Sequence, residues 1–493
     1  MWDKKTDTPH WQEDSWSRRE FLHRSGLGFG GMALAHLLQA EPAAGSSSSS
    51  GSPNLLPRQP HIRPQARAVI QLMQNGGPSQ MDLFDPKPEL QKRSGKRHTE
   101  KVETFQPGSE ANMLLGSPFE FAPRGQSGIE LSNIIPHTAS MVDDLCFVRS
   151  MHTEHNNHTE ALVMLQTCKI FPGRPTLGAW ISYALGTENQ NLPSYIVLRD
   201  PEGYGTSAAL LWENGWLPSL YRGTEFSSRG SAVLDLHPAQ PVASQSRRDQ
   251  LAFLAKLNQQ HRTAYPHNSD LETRIRNYEL AARMQLAAGE VLDHSGESAA
   301  TKQLYGLDVP AISSYGTRLL MARRLVEAGV RFVQVFPPAK PSTQPWDSHR
   351  NTRDEIEAIA ARTELPVEGL VRDLQSRGLL DSVIVMWCGE FGRLPVSQNG
   401  LGRDHNRNAF TLWLAGGGFK AGYAHGATDE FGYRAVEDRV SVPDLQATVL
   451  HQLGVDHRKL SYLHHGRDET PTDYPVTGAK VVGELLDRPS VPA

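Results

Sequence analysis

Cysteine is scarce in this sequence, and basic residues are not in excess. The 493 residues include three cysteines, too few for a disulfide framework, and their positions lack the spacing of a zinc knuckle. Lysine and arginine total 50 against 54 aspartates and glutamates, which gives a formal net charge of -4. Without a basic field, we expect neither nucleic acid nor an anionic membrane surface as a partner.

Long apolar runs are absent as well. Nowhere does the chain reach the roughly 18 consecutive apolar residues that a membrane-spanning helix requires. Hydrophobic residues nevertheless make up 38% of the sequence, enough to bury a substantial core in a chain of this length. We therefore expect a globular protein with no transmembrane segment after processing.

The N-terminal residues 1–44 have the order of an export signal. Arg18 and Arg19 stand ahead of a weakly apolar, glycine-rich stretch over residues 26–38, and small residues follow at 40–44. This order is typical of a twin-arginine signal peptide, and the alternative is a short amphipathic helix on a cytosolic protein. We expect a periplasmic or extracellular protein that is exported by the twin-arginine route.

Short apolar runs alternate with helical segments along most of the remaining chain. This alternation predicts an α/β fold with a doubly wound, mostly parallel sheet and helices on both of its faces. The runs predicted as strands cover residues 68–73, 145–148, 195–198, 331–336, 382–387 and 410–415. The predicted helices cover residues 271–288, 315–328, 352–374 with a break at Pro366, and a last one from a Ser441 cap to Leu453.

The sequence also predicts where the domain begins. Residues 45–65 are rich in serine and proline and predict a flexible linker. Residues 66–493 predict a single domain with insertions. The polar segment 91–128, rich in glycine and proline, predicts an insertion over one face of the sheet.

Acidic residues and histidines follow or precede several of the predicted strands. Loops at the carboxyl ends of parallel strands meet at one edge of a sheet, so we expect these side chains to converge there. Carboxylates and imidazoles without thiolates suit a divalent ion, with zinc, manganese, calcium or magnesium as candidates. The residues concerned are Asp82, Asp85, His152, His155, His158, Asp347, His349, Glu390, Asp404 and His405.

Two arginines lie beside these candidate ligands. The planar guanidinium groups of Arg393 and Arg403 could hold a phosphate or sulfate in bidentate fashion. Each polar residue alone has an ordinary explanation as a loop cap or a solvated side chain. The convergence of four loops on one edge is what favours a metal or anion site.

Several motifs resemble those of the DUF1501 family, a family of exported bacterial proteins defined by a domain of unknown function. They are the Gly-Gly-Pro-Ser79 segment with Asp82 and Asp85, Trp346-Asp347-Ser-His349, Glu390-Phe-Gly-Arg393 and Gly402-Arg-Asp-His405. The resemblance covers about residues 66–468. It implies membership of the alkaline phosphatase and sulfatase superfamily, and with it an alkaline phosphatase-like fold that holds one or two divalent metals.

The resemblance also implies roles for individual residues. Asp347 and His349 fall where the superfamily has an Asp and His pair on one metal, and Glu390 and His405 fall at two further ligand positions. At the end of the first strand, where the superfamily has a metal-binding Asp, this sequence has Gln74-Asn75. Asp82 or Asp85 would then have to compensate.

The position of the superfamily nucleophile, at the start of a helix, differs here. Thr153 or Thr159 could serve as nucleophile, with a metal-activated water as the alternative. His158 would stabilise charge or carry a proton. No Cys-x-Pro-x-Arg sequence is present, so classical sulfatase chemistry is not expected.

Together these patterns predict an exported, metal-dependent hydrolase of phosphate or sulfate esters, on a small-molecule or glycan substrate. The alternative is a non-catalytic exported binding or assembly protein that has kept the fold. A disulfide between Cys146 and Cys168 is left open, as are the substrate, the metal and the oligomeric state.

Overall fold

The computed structural model describes residues 53–229, 233, 244–265 and 268–487. The predicted signal peptide, residues 1–44, and the serine run at the start of the predicted linker lie outside the described residues. Residues 53–65 contain no helix or strand. They are nevertheless bound to the domain, because the N–H of Arg58 donates to the carbonyl of Leu185 at 3.0 Å and that of Ile62 donates to the carbonyl of Gly454 at 3.0 Å.

Each of the six apolar runs in the sequence forms a strand. The strands are β1 (Ala68–Met73), β2 (Phe121–Arg124), β3 (Ile129–Ser132), β4 (Leu145–His152), β5 (Tyr195–Leu198), β6 (Thr224–Phe226), β7 (Phe332–Val335), β8 (Val383–Cys388), β9 (Gly392–Gln398), β10 (Gly402–Asn406), β11 (Phe410–Ala415), β12 (Tyr423–His425), β13 (Ala427–Thr428), β14 (Ala435–Glu437), β15 (Val440–Ser441), β16 (Tyr462–His464) and β17 (Arg467–Glu469). All six predicted strands are confirmed.

A nine-stranded sheet forms the centre of the domain. Its order is β12-β4-β11-β8-β1-β7-β5-β6, with β15 also paired to β4. Strand β11 runs antiparallel to both β4 and β8, whereas all other neighbours in this sheet are parallel. The predicted mostly parallel α/β sheet is therefore confirmed.

The direction of β11 determines which strand ends lie together at one edge of the sheet. Because β11 is antiparallel to its neighbours, its first residue lies at the edge where β1, β4, β7 and β8 end. We call this the carboxyl edge. Every residue of β1, β8 and β11 is buried, as expected for strands that are covered on both faces.

The helices are α1 (Gln80–Leu83), α2 (Pro88–Lys92), α3 (Pro136–Ser140), α4 (His158–Thr167), α5 (Leu177–Leu185), α6 (Ser244–Ala264), α7 (Ser269–Leu292), α8 (Ala299–Leu304), α9 (Pro310–Glu327), α10 (Thr352–Ser376), α11 (Val442–Gln452) and α12 (Tyr474–Thr477). Helix α11 begins as predicted, because Ser441 caps it and forms a capping box with Asp444. The predicted break at Pro366 is wrong, since α10 continues through it. Burial of Ile359, Val367 and Leu370 on this helix offsets the cost of about 3 kcal/mol for an internal proline.

The predicted insertion 91–128 packs against the β9–β10 hairpin, and not simply over one face of the sheet. Val102 and Leu114 form a small separate core with Leu394 and Val396 of β9. A backbone bridge between Leu114 and Val396 fixes the alignment. The insertion thereby lies next to the segment that leads into β11.

All three cysteines are free and buried, so the disulfide between Cys146 and Cys168 that the sequence left open is not formed. Burial raises the pKa of the Cys146 thiol to about 12. In the described part of the chain, none of the helices combines the length and the apolar character that crossing a membrane requires.

A buried ion pair joins α1 to the β9–β10 hairpin. The guanidinium of Arg403 donates to both carboxylate oxygens of Asp82, at 2.7 and 3.0 Å, and both side chains are fully buried. The hydroxyl of Ser79 donates to the same carboxylate. Removal of one partner of such a pair leaves an uncompensated buried charge.

We therefore expect Asp82→Asn to lower the free energy of unfolding by about 3–5 kcal/mol. Chemical denaturation of the purified protein measures this change. Glu89→Gln is the matched control, because Glu89 pairs only with Lys92 and Arg93 on the surface and its loss should leave the denaturation midpoint unchanged. Equal midpoints for Asp82→Asn and wild type would show that the pair does not stabilise the fold.

Candidate metal centre

Four side chains converge at the carboxyl edge. His158 is the first residue of α4, after β4, while Asp347 and His349 lie in the loop after β7. His405 lies in β10, shortly before β11. One nitrogen or oxygen from each of these residues lies within 4.8 Å of the others, close enough for all four to bind one metal ion.

The Oδ1 atom of Asp347 is the centre of this cluster. The Nε2 atoms of His158, His349 and His405 lie 3.3, 2.8 and 3.3 Å from it. The guanidinium of Arg393 also donates to this oxygen at 2.6 Å. Four nitrogens from four separate segments therefore surround one carboxylate oxygen.

Each of the three imidazoles is anchored through its other nitrogen. The Nδ1 atom of His158 lies 2.6 Å from a carboxylate oxygen of Glu390, and that of His405 lies 2.6 Å from the carbonyl of Asn156. The Nδ1 atom of His349 bonds to the side-chain oxygen of Gln398. An oxygen acceptor places the proton of a neutral imidazole on Nδ1, so each Nε2 lone pair is free to face the cluster.

The ionisation of the cluster follows from these contacts. Burial opposes the charge of Asp347, but Arg393 and the three histidines hold the pKa of its carboxyl well below the usual range. For His158, burial lowers the pKa, but hydrogen bonds to Asp347 and Glu390 raise it to about 9. For His405, burial lowers the pKa to about 3, with Asp347 opposing and Arg393 adding to the effect. His405 is therefore neutral at physiological pH.

Three residues predicted as metal ligands, Asp347, His349 and His405, lie together in the cluster. His158, which the sequence assigned to proton transfer or charge stabilisation, is a fourth member. Glu390 lies behind the cluster, where its Oε1 accepts hydrogen bonds from Nδ1 of His158 and from the backbone of Gly76 at 2.9 Å.

Asp404 faces away from the four candidate ligands. Its carboxylate accepts hydrogen bonds from the backbone N–H groups of Phe105, Gln106 and His405. Asp404 and His405 are successive residues of β10, and successive strand side chains point to opposite sides. The structure thus explains why only one of the two belongs to the cluster.

The two arginines of the predicted anion clamp are fully buried and already bonded within the protein. Arg393 contacts Asp347 and donates to the backbone carbonyls of Gly76, Gly77 and Arg403. Arg403 binds Asp82 and two further backbone carbonyls. These contacts leave neither guanidinium arranged to grip a substrate anion.

The remaining candidates lie outside the cluster. Thr159 is the second residue of α4, and its N–H donates to the side chain of Asn157, the helix cap. Asp82 is paired with Arg403, and the carboxylate of Asp85 bonds to Lys87 and Thr428. Neither aspartate therefore compensates for the absence of an aspartate at the end of β1.

The three histidines of the segment 152–158 do not share a helix face. His152 ends β4, and the Nδ1 of His155 accepts from the backbone of Asn157 in the loop that follows. Helix α4 begins only at His158.

Sequence reasoning missed two residues that orient the ligands, Asn156 and Gln398. Both act through an amide oxygen, one from the backbone and one from a side chain. A backbone carbonyl is present in every residue, and Gln398 is an uncharged residue at the end of β9, so nothing in their sequence context marked them.

The fold and the cluster together define an α/β protein with a candidate metal centre at the carboxyl edge of its sheet. The chain belongs to the family described as "Protein of unknown function (DUF1501)", whose model matches residues 66–486. No curated protein matches the sequence.

Several solved structures are similar to this chain at low identity. The phosphonate monoester hydrolase SpPMH from Silicibacter pomeroyi is 12% identical with a TM-score of 0.32, over 71% of this chain and 72% of that one. The PsFucS1 sulfatase from Pseudoalteromonas sp. is 12% identical with a TM-score of 0.34, over 79% of this chain and 68% of that one. A putative sulfatase from Bacteroides fragilis is 10% identical with a TM-score of 0.31, over 87% and 81%.

Gly76 sets the spacing between the end of β1 and the cluster. Its backbone has a φ of +112°, and a Cβ atom there would lie 2.6 Å from the backbone nitrogen of Asp347 and 2.8 Å from that of Trp346. Any side chain at this position must displace the loop that carries Asp347.

Gly76→Ala should therefore weaken zinc binding by about 10–100-fold, the range seen when metal ligands lose their supporting contacts. Equilibrium dialysis against zinc measures the affinity. Gly289→Ala is the matched control, because no atom lies within 4 Å of a Cβ at that position of α7. A Gly76→Ala protein that binds zinc as tightly as wild type would show that the close approach of Gly76 to the Asp347 loop is not needed for the metal site.

Proposed function

We propose that this protein is an exported, metal-dependent hydrolase of phosphate or sulfate esters. The observation that carries the proposal is the anchoring of three histidines by oxygen acceptors, with their Nε2 atoms around the carboxylate of Asp347. Such anchoring of the second imidazole nitrogen is the usual arrangement around protein-bound metals. Export through the twin-arginine route is part of the proposal and is supported by Arg18 and Arg19.

The donor set favours a particular kind of ion. His158, Asp347, His349 and His405 would hold it with three nitrogens and one oxygen, which suits zinc or manganese better than the oxygen-seeking calcium. When bound, such an ion polarises an ester oxygen and lowers the pKa of a water molecule or hydroxyl. No cysteine is needed for this chemistry.

Two buried oxygens near the cluster support a second ion. Oε2 of Glu390 and Oδ1 of Asn75 have no hydrogen-bond partner among the described residues. They follow the adjacent parallel strands β8 and β1, each two residues beyond the paired Cys388 and Met73. Buried polar atoms are rarely left without a partner, so each of these two oxygens is available to a cation or a water molecule.

The residues around the cluster would have separate roles in the reaction. Arg393 holds Asp347 ionised and in place, and Glu390 orients His158 and can exchange a proton with its Nδ1 at 2.6 Å. Thr159 remains the proposed nucleophile at the start of α4, with a water molecule as the alternative. Arg403 has a structural role, because it forms the buried ion pair with Asp82.

A second candidate function is a non-catalytic exported binding or assembly protein that retains the fold. The observation in its favour is the Asn156-Asn157 segment, which stands just before α4, near the place where the superfamily resemblance puts the nucleophile. In the structure, the carbonyl of Asn156 anchors His405 and Asn157 caps α4.

Metal content is the first test of the proposal. Mature protein purified without chelators or a metal-affinity tag should carry one or two equivalents of zinc or manganese by elemental mass spectrometry. His405→Ala should lose the metal, while His261→Ala on the exposed surface of α6 should retain it. A metal-free wild-type protein would rule out the hydrolase and favour the binding protein.

Turnover is the second test. A panel of phosphate and sulfate esters, carbohydrate esters included, should reveal hydrolysis by the wild-type protein that falls about 10–100-fold in Glu390→Gln, because His158 loses its carboxylate partner. Glu188→Gln, on an exposed carboxylate, is the control. Metal-loaded protein that hydrolyses none of the esters would support the second candidate function.

A further inference from the structure

A segment of the insertion crosses the candidate metal centre. We call residues 103–108 the strap. The side-chain Nε2 of Gln106 lies 3.3 Å from Nε2 of His349, one of the four candidate ligand atoms. The ring of Phe105 stacks on the ring of His405, with centroids 5.3 Å apart and planes 20° apart. Two consecutive strap residues thus contact two of the clustered histidines.

Asp404 fixes the strap in this position. Its Oδ2 accepts hydrogen bonds from the consecutive backbone N–H groups of Phe105 and Gln106, at 2.7 and 2.8 Å. Its Oδ1 accepts from the backbone of His405 at 2.8 Å. The carboxylate is fully buried, and hydrogen bonds to a buried charge are about twice as strong as neutral ones. One side chain therefore ties the strap to a candidate ligand.

The other end of the strap is fixed by a second residue of the centre. The side-chain N–H₂ of Gln398 donates to the carbonyl of Pro107 at 2.9 Å, while its oxygen anchors His349. The N–H of Asn399 donates to the carbonyl of Gly108 at 3.0 Å. The strap is thus held in its middle by Asp404 and at its C-terminal end by Gln398 and Asn399.

The strap supplies a hydrogen-bond donor for an anion, which the two buried arginines do not. Arg393 and Arg403 are bonded within the protein, so an anion at the cluster needs another donor. The amide of Gln106 is only half-buried and lies at the rim of the cluster, and the ring of Phe105 is 43% exposed beside it. A polar donor and an apolar ring therefore stand side by side at the entrance.

We propose that Gln106 contacts the substrate, donating a hydrogen bond from its side-chain amide to the phosphate or sulfate group, and that Asp404 is the positioning residue that holds it there. This inference rests on the proposed function. It commits the strap to recognition of a tetrahedral oxyanion.

Binding of inorganic phosphate and of sulfate to the zinc-loaded protein tests the role of Gln106. Isothermal titration calorimetry should show that Gln106→Ala weakens binding about tenfold or more, the effect of losing a hydrogen bond to a charged group. Gln106→Glu should abolish binding through charge repulsion. Zinc content should stay at the wild-type level in both variants, and Gln126→Ala, on an exposed side chain of the same insertion, should bind as wild type does.

The outcomes separate this inference from the proposed function. If zinc-loaded Gln106→Ala binds phosphate and sulfate as tightly as wild type, the inference fails and the metal centre stands. If zinc-loaded wild type binds neither anion, the inference fails as well. If the wild-type protein takes up no metal, the proposed function fails and this inference with it.

Hydrogen exchange tests the positioning role of Asp404 separately. In Asp404→Asn, hydrogen exchange at the backbone amides of Phe105 and Gln106 should accelerate at least about tenfold as the strap is released. Phosphate binding should weaken while zinc is retained. Loss of zinc with the strap amides still protected would instead make Asp404 a metal ligand and overturn the positioning role.

Discussion

The contacts around one oxygen atom, Oδ1 of Asp347, organise the whole site. Three imidazole nitrogens and one guanidinium lie between 2.6 and 3.3 Å from it. A buried carboxylate is stable only when it is paired, and here the guanidinium of Arg393 provides the opposite charge. His349 lies in the same loop as Asp347, but His158 and the β9–β10 hairpin with Arg393 and His405 come from other segments, so the site exists only when the fold brings these segments together.

The direction of a single strand makes this convergence possible. His158, Asp347 and Glu390 all follow strands that end at the carboxyl edge, whereas His405 comes before β11. A parallel β11 would start at the opposite edge and carry His405 away from the other ligands. Because β11 is antiparallel to β4 and β8, the residue that precedes it joins the residues that follow its neighbours.

The sequence was sufficient to predict the strands and most of the residues that cluster at the carboxyl edge, because buried apolar runs followed by polar loops predict both. It was insufficient for the direction of individual side chains. Asp404 and His405 are adjacent and both suit a metal, yet the alternation along β10 allows only one of them to face the cluster. The partners of Arg403 and Glu390 depend on contacts between segments hundreds of residues apart. No local pattern encodes such contacts, and neutral amides such as Gln398 carry even less signal.

The distribution of charge around the cluster has a consequence for ligand binding. Positive side chains lie close by, but Arg393 neutralises Asp347 and Arg403 neutralises Asp82. His405 is neutral as well. Because both arginines are paired, they contribute little net positive charge that could attract an anion. A divalent ion would add that charge in a buried site, where electrostatic interactions are stronger than in water. Anion affinity at this edge should therefore depend on metal occupancy, with neutral donors such as Gln106 contributing geometry and selectivity in place of charge.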